Sequence, residues 1–143
     1  MNYVMLNFLD SHGDLPRKSG LNWGSSFGHT VVNDAYIPIR QESLSSGIIP
    51  ERGVEDLVYT MCFDDGKFIE MQFEGSQYYN GKIYPKQLSS HGEKVILGTY
   101  LRKRLGGIYG RIIKKDDLIR YGRTDIKLKL IDGNYYLDFS VNK

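Results

Sequence analysis

The sequence contains little of what small proteins use to crosslink or stiffen their chains. Its 143 residues include one cysteine and only four prolines, so no disulfide can form within the chain. That cysteine, Cys62, lies in the apolar run Leu57–Phe63, which favours a small buried side chain over a reactive thiol. With 41% hydrophobic residues, a chain of this length can bury one core without crosslinks. We therefore expect a single domain, residues 1–143, in a reducing, cytoplasmic setting.

Long apolar runs and a strong net charge are also missing. No stretch approaches the roughly 20 apolar residues that cross a bilayer, and we expect no leader, so the prediction is a soluble protein without a membrane partner. The 19 Lys and Arg nearly match the 17 Asp and Glu, which leaves a net charge of +2. Net charge therefore does not identify a nucleic-acid-binding protein. Cations concentrated in loops and near helix ends could neutralise phosphates if they share one face, and an ordinary solvated surface is the alternative.

Tyrosine and glycine are abundant, with 11 and 16 residues, and this composition indicates short strands joined by tight turns. Asp65-Gly66 between two alternating runs is the strongest hairpin signal. Pro38 predicts that the strand around it lies at a sheet edge. Strands are predicted over residues 3–8, 35–40, 56–63, 68–73, 125–131 and 135–141. With about seven strands curled around one core, we expect a mainly β, barrel-like sheet.

Two helices are predicted late in the chain. Glu93–Leu105 carries an apolar stripe at helical spacing, with Ser90 as the expected N-cap and Gly106 as the expected stop. A shorter helix is predicted from Lys114 or Lys115 to Tyr121. Arg102, Lys103 and Arg104 are expected to form a solvated helix face, and contact with DNA phosphates is the alternative.

Two segments, residues 15–33 and 74–90, show no sustained period. The first holds the only tryptophan and two adjacent cations, and the second is rich in aromatic, amide and hydroxyl side chains. Irregular segments of this length inside small domains are usually functional or disordered.

The residue patterns of hydrolytic enzymes are sparse. The three histidines lie in predicted loops without a second ligand at zinc spacing, and none begins the His-x-Lys pattern of phospholipase D-like nucleases. No nucleophile elbow, phosphate-binding loop or dinucleotide fingerprint is present. Two Asp-x-Lys patterns, 65–67 and 125–127, leave a small metal-dependent nuclease built on Asp125 and Lys127 as an alternative. We expect a non-enzyme that needs no metal and no cofactor.

Four stretches, taken in order and spacing, carry a resemblance to a known family. They are Pro16–Gly24 leading to Ala35–Ile39, Tyr84–Leu88, Ile96–Gly106, and Asp117–Ile126 followed by Tyr135–Phe139. Together they resemble the C-terminal DNA-recognition domain of NgoFVII-type restriction endonucleases, which is similar in fold to the plant B3 DNA-binding domain. The resemblance covers residues 14–141. Two motifs within these stretches indicate the family in combination, although neither would suffice alone: Ser-Gly-Leu-Asn-Trp-Gly and Arg-Lys-Arg-Leu-Gly.

The resemblance implies a seven-stranded open β-barrel, the DNA-binding pseudobarrel, with two helices. It also implies sequence-specific binding of double-stranded DNA by two arms that grip the major groove, one after the first strand and one around the fourth and fifth strands. Arm one would carry Arg17, Lys18, Ser19, Asn22, Trp23, Ser25, Ser26 and His29. Arm two would carry Gln77, Tyr78, Tyr79, Asn80, Lys82, Lys86 and Gln87.

The role of each contact follows from its chemistry. Arg and Lys can donate to guanine, Asn and Gln can pair with adenine, and lysines at arm bases set register on phosphates. Trp23 is expected to pack arm one against the barrel.

The family usually has a nuclease domain before this one, so cleavage is expected in a separate domain or partner subunit. It also has Gln-Arg where this chain has Ser25-Ser26, so no target sequence is carried over. A protein-interaction barrel, with arms that bind a polypeptide, is a further alternative.

Overall fold

A computed structural model of the chain describes residues 2–26, 30–53 and 57–141. Its described strands are β1 (Tyr3–Asn7), β2 (Ile37–Pro38), β3 (Leu57–Phe63), β4 (Phe68–Glu74), β5 (Gln77–Tyr79), β6 (Lys82–Tyr84), β7 (Gln87–Ser90), β8 (Asp125–Ile131) and β9 (Asn134–Asp138). Its α-helices are α1 (Lys94–Arg104) and α2 (Lys115–Tyr121), and two 3₁₀ helices span Gly20–Ser25 and Gln41–Ser46. None of these helices is long and apolar enough to cross a membrane.

Seven of the described strands form one sheet in the order β1-β8-β9-β3-β4-β7-β2. Neighbouring strands are antiparallel except β3 and β9, which are parallel. The sheet curls into a nearly closed barrel, and the guanidinium of Arg40 after β2 donates to the Phe8 carbonyl after β1 at 3.3 Å. The mainly β, seven-stranded barrel with few helices confirms the expected fold class. Pro38 lies in an edge strand, as predicted.

Local sequence patterns explain the β3–β4 hairpin. Cys62 pairs with Phe68 across the predicted turn, where the Asp65 carboxylate accepts the Lys67 backbone N–H at 3.0 Å. Met61 and Phe63 point into the core, together with Met71 and Phe73 on β4. Because side chains alternate along a strand, Cys62 faces away from the core and is only half-buried, so the expectation of a buried thiol is wrong.

Both predicted helices are present, although the start of α1 differs from expectation. Ser90 ends β7, and the N-cap position belongs to Glu93. The Ser90 hydroxyl still binds the helix, donating to the Glu93 carbonyl and accepting the Leu97 N–H at 3.1 Å. Gly98 lies against the segment before β2, where a Cβ atom would come within 1.7 Å of the Asn33 carbonyl oxygen. A glycine is therefore required where α1 crosses this segment.

The predicted solvated face of α1 is wrong for two of its three cations. Arg102 is 2% exposed because the chain after α1 folds back over it. Its Nη1 atom donates to the carbonyls of Ile108 and Arg111, both at 2.7 Å. Arg104 forms an ion pair with Asp64 at 2.8 Å and lies over the Tyr100 ring. Only Lys103 is exposed as expected.

A polar cluster around Glu74 joins β4 to β7 and α1, and it gives the fold an acid-sensitive contact. The Glu74 carboxylate accepts hydrogen bonds from the Ser89 hydroxyl, from Gln87 at 3.3 Å and from Lys94 at 3.1 Å. Burial acts to raise the pKa of Glu74, but these hydrogen bonds outweigh it and lower the pKa below its ordinary 4.5.

Glu74→Gln is expected to make the free energy of unfolding less dependent on pH in the acid range. A carboxyl whose pKa is lowered by folding stabilises the protein above its unfolded pKa, and that stability is lost as pH falls through the folded value. The variant should lose about 1–2 kcal/mol at pH 7 and converge with the wild type below pH 4.5. Urea unfolding across pH measures this. Glu70→Gln, an exposed carboxylate on the same strand, is the control, and an equal effect there would contradict the assignment.

Candidate nucleic-acid interface

Arm one, residues 15–33, is ordered around a buried amide. Its central stretch forms the 3₁₀ helix Gly20–Ser25, although sequence predicted an irregular segment. Asn22 in this helix is 0% exposed. Its Nδ2 atom donates to the carbonyls of Pro16 at 2.9 Å and Ile113 at 2.8 Å, and its Oδ1 atom accepts the Ile113 N–H at 2.7 Å. Asn22 therefore joins arm one to the chain before α2 and faces the interior, away from the surface where base contact was expected.

Other contacts fix the shape of arm one. The Trp23 ring packs edge to face on Tyr36, with centroids 5.7 Å apart. The Ser25 hydroxyl lies 2.7 Å from the carbonyl oxygens of both Arg17 and Asn22. A Cβ atom on Gly24 would come within 2.7 Å of the backbone at Val31, Asn33 and Asp34, so the two halves of the arm touch through this glycine.

The remaining predicted residues of arm one differ in exposure. Arg17 and Lys18 are exposed, and Ser19 is half-buried. The Ser26 hydroxyl is buried and has no hydrogen-bond partner among the described residues. His29 lies outside the described residues.

Arm two, within residues 74–90, contains a β-ribbon formed by β5 and β6, although sequence predicted an irregular segment. Strands β5 and β6 pair in register from Gln77–Tyr84 to Tyr79–Lys82. Asn80 and Gly81 both have positive φ angles, 52° and 79°, as a two-residue hairpin turn with the right-handed twist of its strands requires. An Asn-Gly pair between short aromatic runs is a strong hairpin signal, so the ribbon could have been found from sequence.

The ribbon has an exposed tip and an anchored base. Tyr78 is 74% exposed, and Asn80 is exposed beside it. Lys82 is exposed and forms a surface ion pair with Glu51 at 3.1 Å. At the base, the Gln77 amide donates to the carbonyls of Ile39 and Pro85, both at 2.8 Å.

The other predicted residues of arm two stabilise the ribbon or flank it. Tyr79 packs on Tyr84 at 6.2 Å between ring centroids. Gln87 donates to Glu74. Lys86 is exposed, and its alkyl stem lies over Gly75.

Strand β2 holds both arms at one edge of the barrel. Just before it, the Tyr36 N–H donates to the Gly20 carbonyl of arm one at 3.1 Å. Just after it, the Ile39 N–H donates to the Lys86 carbonyl of arm two at 2.9 Å. The two arms are therefore attached at either end of the edge strand β2.

An open cleft of about 490 Å³ lies at this edge. The predicted residues Gln77, Lys86 and Gln87 line it. Among the described residues, none of arm one lines the cleft, but Tyr36, on which Trp23 packs, does. Arg40 also lines the cleft and was missed, because a single cation after a short strand carries no pattern.

The Asp-x-Lys pattern of the alternative nuclease lies on β8, in strand pairing with β1. Asp125 accepts hydrogen bonds from Arg123 Nε at 3.1 Å and Nη2 at 2.9 Å, and Lys127 lies over the Tyr3 ring. A nuclease centre of this type also needs a carboxylate earlier in the chain. Asp117, which precedes β8, accepts the Lys114 N–H at 2.8 Å at the start of α2. The described residues contain no group of three or more His, Cys, Asp or Glu side chains that could hold a metal ion.

Comparison with known proteins agrees with this architecture. Residues 1–132 match the family model of the NgoFVII C-terminal B3-like DNA-binding domain. No curated protein matches the chain. The family match spans the barrel from β1 to β8, both arms and both α-helices. The chain therefore belongs to the NgoFVII C-terminal B3-like family, the DNA-binding domains of restriction endonucleases.

Proposed function

We propose that this domain recognises a short, specific sequence in double-stranded DNA by placing its two arms in the major groove. It would then serve as the target-recognition module of a restriction endonuclease in the bacterial cytoplasm. The observation that carries the proposal is the anchoring of both arms on the free edge strand β2, beside an open cleft. Arms fixed to one strand keep a constant spacing, which reading a sequence requires.

The shape of arm two supports the major groove as the binding site. B-DNA has a major groove roughly 12 Å wide, which admits a two-stranded β-ribbon, whereas the minor groove is about half that width. The β5–β6 ribbon has this form, with Tyr78 and Asn80 exposed at its tip. Asn80 can form hydrogen bonds with an adenine edge, and the Tyr78 hydroxyl can form a hydrogen bond with a base or a phosphate.

Twelve of the predicted site residues fall into two groups by exposure. Those proposed to contact DNA are exposed on the arms: Arg17, Lys18, Tyr78, Asn80, Lys82 and Lys86. Those proposed to hold the arms in shape already bond or pack inside the domain: Asn22, Trp23, Ser25, Gln77, Tyr79 and Gln87. Arg17 is the best candidate for guanine, because the Ser25 hydroxyl fixes its backbone.

We also propose that strand cleavage belongs to a separate domain or partner subunit. The Asp125 carboxylate is held by two donors of Arg123, and Asp117 is held at the start of α2. A Mg²⁺-dependent nuclease centre needs its carboxylates free to bind metal. Plasmid cleavage by the pure chain with Mg²⁺, lost in Asp125→Ala, would contradict this assignment.

Methylation interference tests the groove that the arms occupy. Dimethyl sulfate marks guanine N7 in the major groove and adenine N3 in the minor groove. Bound and free fractions of a modified duplex should differ at guanines, with N7-methylated positions depleted from the bound fraction. Depletion restricted to N3-methylated adenines would place the domain in the minor groove and contradict the proposed arm mechanism.

A further inference from the structure

Helix α1 contains a buried guanidinium without a counter-ion in the described parts of the chain. Arg102 is 2% exposed, and it donates to the carbonyls of Ile108 and Arg111. Its Nε atom is buried and has no partner among the described residues. Burial lowers the pKa of this guanidinium, and the nearby charge of Arg111 adds to the effect. A buried charge is normally paired with an opposite charge, so this arrangement calls for an anion.

A cavity of about 160 Å³ lies beside Arg102, between arm one and the chain that follows α1. Arg111 lines it from the second of these segments, and Gly24 and Ser25 line it from arm one. No carboxylate is among its described lining residues. Arg111 is exposed and forms an ion pair with Asp117 at 3.9 Å. Two guanidinium groups therefore border a cavity to which the described residues contribute no negative group.

The cavity wall is fixed to arm one. The Asn33 side-chain oxygen accepts the Gly110 N–H at 2.7 Å, which ties arm one to the residue before Arg111. The hydrogen bonds from Arg102 to the carbonyls of Ile108 and Arg111 hold the same wall to helix α1. An anion in this cavity would thus contact groups that arm one positions.

We infer that this cavity binds one phosphate group through Arg102 and Arg111, and that the phosphate belongs to the backbone of the DNA held by the arms. The inference rests on the proposed function for the source of the phosphate. Guanidinium groups present forked donors that match phosphate oxygens. A phosphate seated between arm one and α1 would set the register of the arm on the duplex without reading a base.

Arg111→Gln and Arg120→Gln form a matched pair for the test. Both arginines are exposed and both pair with Asp117, but only Arg111 lines the cavity. Binding of the chain to a labelled duplex is titrated at several salt concentrations. Arg111→Gln should weaken binding about tenfold and lower the slope of log K against log salt by about one, whereas Arg120→Gln should leave both nearly unchanged. Equal effects of the two variants would overturn the inference.

A second experiment uses inorganic phosphate to test anion binding in the cavity without DNA. Phosphate, compared with chloride at equal ionic strength, should raise the melting temperature of the wild type and of Arg120→Gln more than that of Arg111→Gln, because phosphate also stabilises folded proteins without a binding site. Equal stabilisation of all three proteins would overturn the site. Stabilisation reduced in Arg111→Gln while its DNA affinity stays at the wild-type value would overturn the backbone source, leaving a site for free anions. If the wild type binds no duplex, the proposed function and this source fail together, and the phosphate response alone decides whether the cavity binds anions.

Discussion

Asn22→Ala is expected to lower the free energy of unfolding by roughly 3–5 kcal/mol, because three backbone groups, two of them buried, lose the partner that Asn22 provides. Those groups are the Pro16 carbonyl and the carbonyl and N–H of Ile113. Asn22→Asp should also destabilise the fold, because a carboxylate can accept from the Ile113 N–H but would face two carbonyl oxygens. Thermal and urea unfolding of the pure chain measure both effects.

Asn134→Ala, an exposed asparagine at the start of β9, is the control and should change stability little. Any loss of DNA binding by Asn22→Ala should follow its loss of folded protein and affect all sequences alike. An Asn22→Ala protein with wild-type stability and a changed base preference would return Asn22 to the base-contacting role that the sequence suggested.

Arg17→Ala and Lys86→Ala are expected to affect DNA binding in different ways. A side chain that donates to a guanine edge discriminates by about 1–3 kcal/mol at one base pair, so Arg17→Ala should relax preference at a single position. Lys86 lies at the base of arm two with its stem over Gly75 and is proposed to contact phosphate. Lys86→Ala should weaken binding to every sequence and lower the salt slope by about one.

Competition between the best site and its single-base variants, measured at two salt concentrations, distinguishes the two effects. Lys67→Ala removes an exposed cation in the β3–β4 turn, outside both arms, and should change neither preference nor slope. If Arg17→Ala lowers affinity equally for all base variants, Arg17 contacts the backbone and the proposed division of roles is wrong.

Local signals predicted the parts of the fold that depend on neighbours in sequence. The Asp65-Gly66 turn, helix α1 and the end of α2 at Tyr121 each lie within a few residues of their cause, and the structure confirms them. The apolar stripe of α1 is confirmed in part, because Leu97, Tyr100 and Leu101 are buried but Ile96 is exposed. The β5–β6 ribbon was missed despite Asn80-Gly81. Its strands have three residues each, which is too short for apolar alternation to show.

The features that the sequence did not predict depend on contacts between residues far apart in the chain. Asn22 carries a polar amide that resembles a base-reading group, but its role is set by Ile113, 91 residues further along the chain. Arg102 follows a surface-like pattern on α1, yet the chain after the helix covers it. Sequence could locate the two segments assigned as arms, which follow β1 and β4 in the structure. It could not tell which side chains face outward, because that depends on contacts between segments far apart in the chain.

Selection from a pool of random duplexes tests sequence-specific recognition most directly. The pure chain should enrich one short motif over successive rounds at moderate salt, and it should bind that motif at least about 10³-fold more tightly than random duplex. The preference should persist as salt increases, while affinity for random duplex falls steeply. Failure to enrich any motif at low salt, with the folded state verified, would contradict the account and favour a barrel whose arms bind another protein.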